Sequence, residues 1–240
     1  MKLHLGATLI LIALTTSQLA AASLRTGTVR VNETALYYEV RGSGPVLLMI
    51  SGATGDAGHF ARVAPLLAVT YTVVTYDRRG NSRSPATEQT SLEQQADDAA
   101  ELLRSLRLSP ATVFGTSGGA IIALKLALRR PEVCRSLIVH EPPFLSVLPN
   151  AAEAGKGFQL AVENALKERG PNGAMEMFIR MNAGDAAFDG LEGELRARML
   201  ANGERFFAIE LPMFMSWIPS EAELRAALVP IRVLAGADNR

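Results

Sequence analysis

A serine flanked by glycines is the strongest chemical signal in the chain. Residues 115–119 follow the pattern G-x-S-x-G around Ser117, between an apolar run of strand length and a longer apolar run. This context predicts a sharp strand-to-helix turn that presents the hydroxyl of Ser117 as a nucleophile. The N–H of Gly118 would then point to where an oxyanion forms, at the positive end of the helix. The alternative is a structural turn in which Ser117 only caps the helix.

An earlier loop could supply a second hydrogen-bond donor to the same oxyanion. Residues 51–55 directly follow the apolar run 46–50, and Gly52 allows this loop to turn tightly. We therefore expect the N–H of Ala53 to be the second donor. The alternative is an ordinary strand-to-helix loop without a catalytic role.

The elements that position these loops alternate between strands and helices. Continuous apolar runs, which indicate strands buried on both faces, occupy residues 46–50, 71–76, 111–114, 136–139 and 231–234. Two shorter alternating runs predict a hairpin over residues 28–40, turning at Asn32 and Glu33. Helical spacing occupies residues 60–67, 92–106 and 120–128, with a capping box of Ser91 and Gln94 before the second. This alternation predicts a doubly wound α/β domain with a mostly parallel sheet.

The segment at residues 144–228 has a different pattern, and we call it the cap segment. It contains no strand-like run and predicts several short helices that break at residues 170–173, Gly190 and Pro219. Six of the eight methionines, Trp217 and most of the phenylalanines lie in it. These side chains form either the core of a helical insertion or an adaptable apolar pocket wall, and one residue could serve both purposes.

Composition excludes several classes of protein. The chain has 240 residues, 48% of them hydrophobic, which is typical of a globular protein rather than a disordered one. A single cysteine, Cys134, excludes a disulfide framework, and three widely spaced histidines argue against a metal site. Lys plus Arg and Asp plus Glu both total 24, so no net charge attracts nucleic acid or anionic lipid.

The N-terminus has the pattern of an export signal. Lys2 precedes an uncharged stretch, and three alanines end at Ala22 in a small-residue cleavage pattern. The apolar core is too short to span a membrane. We therefore expect residues 1–22 to be a signal peptide and the mature protein to be exported; without a functional signal, it would be cytoplasmic.

Several motifs together resemble the α/β-hydrolase superfamily. They are the G-x-S-x-G turn, residues 76–84 (YDRRGNSRS), residues 130–132 (RPE), residues 140–143 (HEPP) and residues 230–236 (PIRVLAG). The resemblance implies a core at residues 25–143 and 229–240, and a helical cap at residues 144–228. It also implies chemistry that needs no metal or organic cofactor. We interpret the residues from Asp77 to Arg79 as structural support for a loop beside the site.

The chain departs from the superfamily pattern in three places. Ser51 stands where the superfamily usually has His, which need not remove the backbone donor. The serine nucleophile argues against the dehalogenase and epoxide hydrolase branches, in which Asp attacks. The third departure is that the sequence ends before the final helix, strand and loop that carry the catalytic His. The strand at residues 231–234 would then be an unpaired apolar edge, which predicts self-association.

The partners of Ser117 remain open at this stage. The superfamily places its acid at one of two strand ends, which gives Glu141 and Asp238 as alternatives. A serine also needs a base. His59 is only a remote candidate, and His140 precedes Glu141 on a predicted strand, so that their side chains should point to opposite faces.

The resemblance implies a serine hydrolase that acts on an ester or similar acyl compound through an acyl-enzyme on Ser117. The apolar cap segment favours a small to medium hydrophobic substrate. One alternative is an inactive or truncated protein that lacks the base. Another is a haloperoxidase-like or carbon–carbon bond hydrolase, since both use the same serine chemistry.

Overall fold

A computed structural model describes residues 23–85, 90–147 and 149–236 of the chain. The predicted signal peptide at residues 1–22 and the candidate acid Asp238 lie outside the described residues. No helix within the described residues is long and apolar enough to cross a membrane.

A sheet of seven strands forms the centre of the molecule. The strands are β1 (Leu24–Val31), β2 (Thr34–Arg41), β3 (Val46–Ile50), β4 (Thr72–Tyr76), β5 (Ala111–Thr116), β6 (Cys134–His140) and β7 (Ile231–Leu234). Their spatial order is β1-β2-β4-β3-β5-β6-β7. The pairs β1–β2 and β2–β4 are antiparallel, whereas the four remaining pairs are parallel. The predicted α/β fold with a mostly parallel sheet is confirmed.

Helices connect the strands and fill the segment between β6 and β7. They are α1 (Ala64–Leu67), α2 (Leu92–Ser105), α3 (Gly118–Arg129), α4 (Ala151–Ala183), α5 (Asp185–Asp189), α6 (Gly193–Ala201), α7 (Gly203–Arg205), α8 (Leu211–Met215) and α9 (Glu221–Arg225). A π-helical turn, Phe206–Glu210, joins α7 to α8. The described part of the cap segment contains no strand. Its proposed boundaries as a separate domain stay a prediction.

Helices α2 and α3 pack together beside the sheet and contribute many of the buried side chains of the core. Helix α2 begins with the predicted capping box, in which the Ser91 side chain accepts from the Gln94 N–H and the Gln94 side chain accepts from the Ser91 N–H. The side chains of Leu102, Ile121 and Leu126 are fully buried. Helix α3 is therefore apolar on nearly every face because protein surrounds it, as the sequence predicts.

Two sequence predictions need correction. The apolar run at residues 231–234 by itself indicates a strand buried on both faces, but β7 is an edge of the described sheet and Val233 is 68% exposed, as the expected unpaired edge implies. Residues 60–67 do not form one helix; a 3₁₀ turn, Ala57–Phe60, is followed by the short α1, with Pro65 near its start. By contrast, the predicted break at residues 170–173 is confirmed, because the non-helical backbone of Gly170 (φ 65°, ψ 178°), followed by Pro171, interrupts α4 with a kink.

The hairpin between β1 and β2 has the register that the sequence predicts, with Val31 opposite Thr34. Its two turn residues, Asn32 and Glu33, have φ values of 42° and 68°. These values fit the left-handed turn that favours Asn followed by Gly. Glu33 therefore occupies a position where its Cβ is unfavourable.

We predict that Glu33→Gly stabilises the protein by about 0.5–1 kcal/mol, since relief of the left-handed strain exceeds the added entropy of glycine in the unfolded chain. Urea unfolding measures the change. Glu33→Ala retains the Cβ and is the control, expected to give no such gain. Equal stabilities for the Gly and Ala variants would contradict this account of the turn.

Candidate active site

Ser117 lies at the turn between β5 and α3, with φ 53° and ψ −126°. Residues other than glycine rarely adopt this conformation, and holding it costs about 1–3 kcal/mol. Two backbone hydrogen bonds hold the turn: the Ser117 N–H donates to the His140 carbonyl at 2.9 Å, and the Ser117 carbonyl accepts from the Ala120 N–H at 2.9 Å. The structure thus places Ser117 at the sharp turn that its motif predicts.

The glycines around Ser117 allow backbone segments to pack directly against each other. A Cβ on Gly115 would lie 2.3 Å from the Gly119 carbonyl oxygen. A Cβ on Gly119 would lie 2.2 Å from the carbonyl oxygen of Ile50, at the end of β3. Any side chain at either position would therefore push the start of α3 away from the sheet.

The loop after β3 lies against the same turn. A Cβ on Gly52 would lie 2.9 Å from the Ser117 Cβ and 3.3 Å from the Gly118 nitrogen. The Gly52 carbonyl accepts from the Gly55 N–H at 3.1 Å, which closes the loop. Within the described residues, neither the Ala53 N–H nor the Gly118 N–H donates a hydrogen bond. The role of both N–H groups as oxyanion donors therefore stays a prediction.

Glu141 follows directly after β6, and its backbone leaves the strand conformation with φ 49°. Its carboxylate accepts from the Gly236 N–H at 2.9 Å, next to the end of β7. The expectation that His140 and Glu141 point to opposite faces is wrong: His140 Nε2 lies 3.9 Å from Glu141 Oε1. The strand ends at His140, so the two-residue alternation of side chains does not extend to Glu141.

The two described histidines line a separate cavity beside the sheet. Its volume is about 610 Å³, and its wall includes Phe114 and Thr116 but not Ser117. His59 Nδ1 lies 3.1 Å from the Thr54 hydroxyl, and His140 Nδ1 lies 3.0 Å from the Thr116 hydroxyl. Desolvation by the surrounding protein lowers the pKa of His59 from its usual value.

Within the described residues, no general base lies within hydrogen-bond distance of the Ser117 hydroxyl. No described residue forms a hydrogen bond with the Ser117 hydroxyl, and His59 does not reach it. No group of three or more metal-ligating side chains occurs in residues 23–85, 90–147 and 149–236.

Comparison with known proteins places the chain in one family. A family model described as alpha/beta hydrolase fold matches residues 45–183. The chain belongs to the α/β-hydrolase family. It is 35% identical over 217 residues to the uncharacterized hydrolase YraK of Bacillus subtilis (strain 168), covering 88% of this chain and 78% of the relative.

Solved structures give the same fold. An alpha/beta hydrolase from Sphaerobacter thermophilus DSM 20745 aligns with a TM-score of 0.63 and 27% identity, covering 88% of this chain and 82% of that one. The enol-lactonase from Burkholderia xenovorans LB400 aligns with a TM-score of 0.70 and 17% identity, covering 88% of this chain and 81% of that one. The second likeness concerns the fold alone.

A buried ion pair connects the cap segment of this α/β hydrolase to the loop beside Ser117. The side chains of Arg78, after β4, and Glu210, in the π-helical turn, are both fully buried. Arg78 Nη1 and Nη2 donate to the two carboxylate oxygens of Glu210 at 2.7 Å and 2.6 Å. Arg78 Nη2 also donates to the Gly52 carbonyl at 2.8 Å.

The sequence interpretation of residues 77–79 as structural captured only part of this arrangement, because it did not include Glu210. The sequence did contain one signal for Glu210, since its carboxylate stands alone in the otherwise apolar run of residues 206–211. Such a carboxylate in an apolar stretch indicates a buried ionic partner.

The neighbouring charges of the same loop hold it to the core. Arg79 Nε and Nη2 donate to the two carboxylate oxygens of Asp98, on α2, each at 2.6 Å. Asp77 accepts from the Ala57 N–H at 2.7 Å and from Arg83 Nε at 2.7 Å. Burial raises the pKa of Asp77, an effect that the hydrogen bonds from Arg83 partly offset. These contacts support the structural interpretation of Asp77 and Arg79.

The cap segment also reaches the turn at Ser117 directly. A Cβ on Gly118 would lie 2.5 Å from the ring of Phe214, on α8. The guanidinium of Arg78 lies 5.5 Å from the centre of the same ring. Phe214 therefore packs over Gly118 and beside Arg78, and it brings an apolar surface to the candidate site.

We predict that Gly119→Ala destabilises the protein by about 2 kcal/mol, because the added methyl group meets the Ile50 carbonyl and overpacks the contact. Thermal unfolding measures the loss. Gly157→Ala in α4 is the matched control: that Cβ meets no atom within 4 Å, so helix propensity alone should stabilise by about 0.5–1 kcal/mol. Stabilisation by both substitutions would contradict the close approach at Gly119.

Proposed function

We propose that this α/β hydrolase is a serine hydrolase that cleaves an ester or similar acyl compound. The observation that carries the proposal is the strained turn at Ser117, which packs against the loop at Gly52, together with two backbone N–H groups, those of Gly118 and Ala53, that no described residue uses. Such an arrangement suits a reaction in which negative charge develops on a carbonyl oxygen. The hydrolase family of the chain supports the reaction type, and the ester substrate is our inference.

The reaction would proceed through an acyl-enzyme. The Ser117 hydroxyl loses its proton to a base as its oxygen attacks the carbonyl carbon, and the N–H groups of Gly118 and Ala53 stabilise the oxyanion. The tetrahedral intermediate collapses, the alcohol leaves with a proton, and the acyl group stays on Ser117. Water then attacks the ester on Ser117 and releases the acid. Glu141 and Asp238 remain the alternatives for the acid that orients the base.

The cap segment favours an apolar acyl group. A cavity of about 400 Å³ lies between α4 and α8, with an almost entirely apolar lining that includes Leu145, Phe158, Val162 and Leu211. Phe214, on α8, packs against Gly118, and its neighbours on the same helix, Pro212 and Met215, line the cavity. A small to medium hydrophobic substrate fits this composition.

We predict that a fluorophosphonate probe labels the purified 240-residue chain at Ser117 and that Ser117→Ala abolishes labelling. The physical reason is that the probe reacts only with a serine whose hydroxyl is activated. Hydrolysis of a short-chain nitrophenyl ester should fall by about 10⁴-fold or more in the same variant. Mass spectrometry of the labelled peptide and initial rates provide the two measurements.

Ser136→Ala is the matched control, because Ser136 lies on the neighbouring strand and its hydroxyl is paired with Thr112. This variant should label as the wild-type chain does. Labelling that persists in Ser117→Ala, or a folded wild-type chain that does not label, would refute the proposed function.

A further inference from the structure

We propose that Arg78 and Glu210 are positioning residues for the oxyanion hole, and this inference rests on the proposed serine hydrolase function. In this view Arg78 holds the Gly52 carbonyl so that the N–H of Ala53 faces the reacting carbonyl oxygen. Glu210, from the cap segment, holds Arg78 in place. Neither side chain touches the substrate.

The hydrogen bonds of Arg78 tie the loop after β3 to the buried ion pair. Its Nη2 atom donates both to Glu210, at 2.6 Å, and to the Gly52 carbonyl, at 2.8 Å. The guanidinium is planar, and two of its nitrogens are fixed on the Glu210 carboxylate, so the direction of the bond to Gly52 is fixed as well. The loop after β3 is thereby tied to a rigid, fully buried ion pair.

The planar peptide bond between Gly52 and Ala53 couples the direction of the Gly52 carbonyl to that of the Ala53 N–H. In a trans peptide the carbonyl of one residue and the N–H of the next point in opposite directions. The bond from Arg78 to the Gly52 carbonyl therefore also sets the direction of the Ala53 N–H. Gly52 has no side chain to resist rotation of this peptide, and within the described residues its carbonyl has only one further partner, the Gly55 N–H at 3.1 Å.

The environment of Glu210 explains why a carboxylate is needed there. A buried guanidinium is costly unless an anion compensates its charge. The Glu210 carboxylate also accepts from Asn81 Nδ2 at 2.8 Å and from Gln95 Nε2 at 3.3 Å. The loop after β4 and helix α2 thus hold the carboxylate from the core side, and the cap segment supplies it.

The same part of the cap segment reaches the other candidate donor. Phe214 follows Glu210 by four residues, one helical turn later, and its ring packs over Gly118. Glu210 acts on the Ala53 N–H through Arg78, whereas Phe214 contacts Gly118 directly. A change in the position of this turn would therefore alter both donors together.

The test is the double variant Arg78→Met/Glu210→Leu, because well-packed apolar residues can replace a buried ion pair without loss of the fold. We expect the rate of fluorophosphonate labelling and the kcat for a short-chain ester to fall about 100-fold, since one oxyanion donor is lost. The KM for the ester should change less than about threefold, because the donor acts on the transition state. The single variant Arg78→Lys should keep part of the rate that the double variant loses, because an ammonium group can still donate to the Gly52 carbonyl.

Arg79→Met/Asp98→Leu is the matched control. This pair is almost as deeply buried, with side-chain exposures of 3% and 1%, and its hydrogen bonds tie Arg79 to α2 and to the Asn32 carbonyl in the β1–β2 turn. The control should label within about threefold of the wild-type rate, and thermal unfolding checks that both double variants fold. Equal losses of rate in the two double variants would overturn the proposal.

A second measurement separates this inference from the proposed function. Crystal structures of the wild-type chain and of Arg78→Met/Glu210→Leu show the orientation of the Gly52–Ala53 peptide whether or not Ser117 reacts. We expect this peptide to rotate in the double variant. A peptide that keeps its orientation would overturn the positioning role, whereas a wild-type chain that does not label would overturn the serine hydrolase function instead.

Discussion

The candidate site depends on one contact between two backbones. Gly119, at the start of α3, packs against the Ile50 carbonyl, at the end of β3. This contact holds the helix against the parallel sheet with no side chain between them. The turn at Ser117 then has little room, and its strained φ and ψ values follow from the tight packing. Strain of this kind persists only when surrounding contacts determine the backbone. The core of α2 and α3 supplies those contacts.

The buried ion pairs of Arg78 and Arg79 fix loops that have few apolar side chains of their own. Loops after β3 and β4 cannot be positioned by hydrophobic packing alone, because glycines and polar residues dominate them. Arg78 and Glu210 give the first loop a rigid partner, and Arg79 and Asp98 do the same for the second. Such pairs add little net stability, since desolvation offsets their attraction, but their geometry is specific.

Local patterns predicted much of the fold and part of the site. The apolar runs at residues 46–50 and 111–114 gave strands within two residues of their observed bounds, and the glycines around Ser117 predicted the turn. The apolar residues of β7 by themselves indicate a buried strand, whereas its exposure depends on which elements cover it. The bond between Arg78 and Glu210 spans 132 residues, and no local periodicity encodes such a contact.

We propose that the turn at Ser117 and the loop at Gly52 together form a preorganised oxyanion site. A crystal structure of the chain with a phosphonate covalently bound to Ser117 would test this arrangement. We expect the phosphoryl oxygen to lie about 2.7–3.1 Å from the backbone nitrogens of both Gly118 and Ala53, without movement of either loop. A phosphoryl oxygen that points away from Ala53, or a bond to a residue other than Ser117, would contradict it.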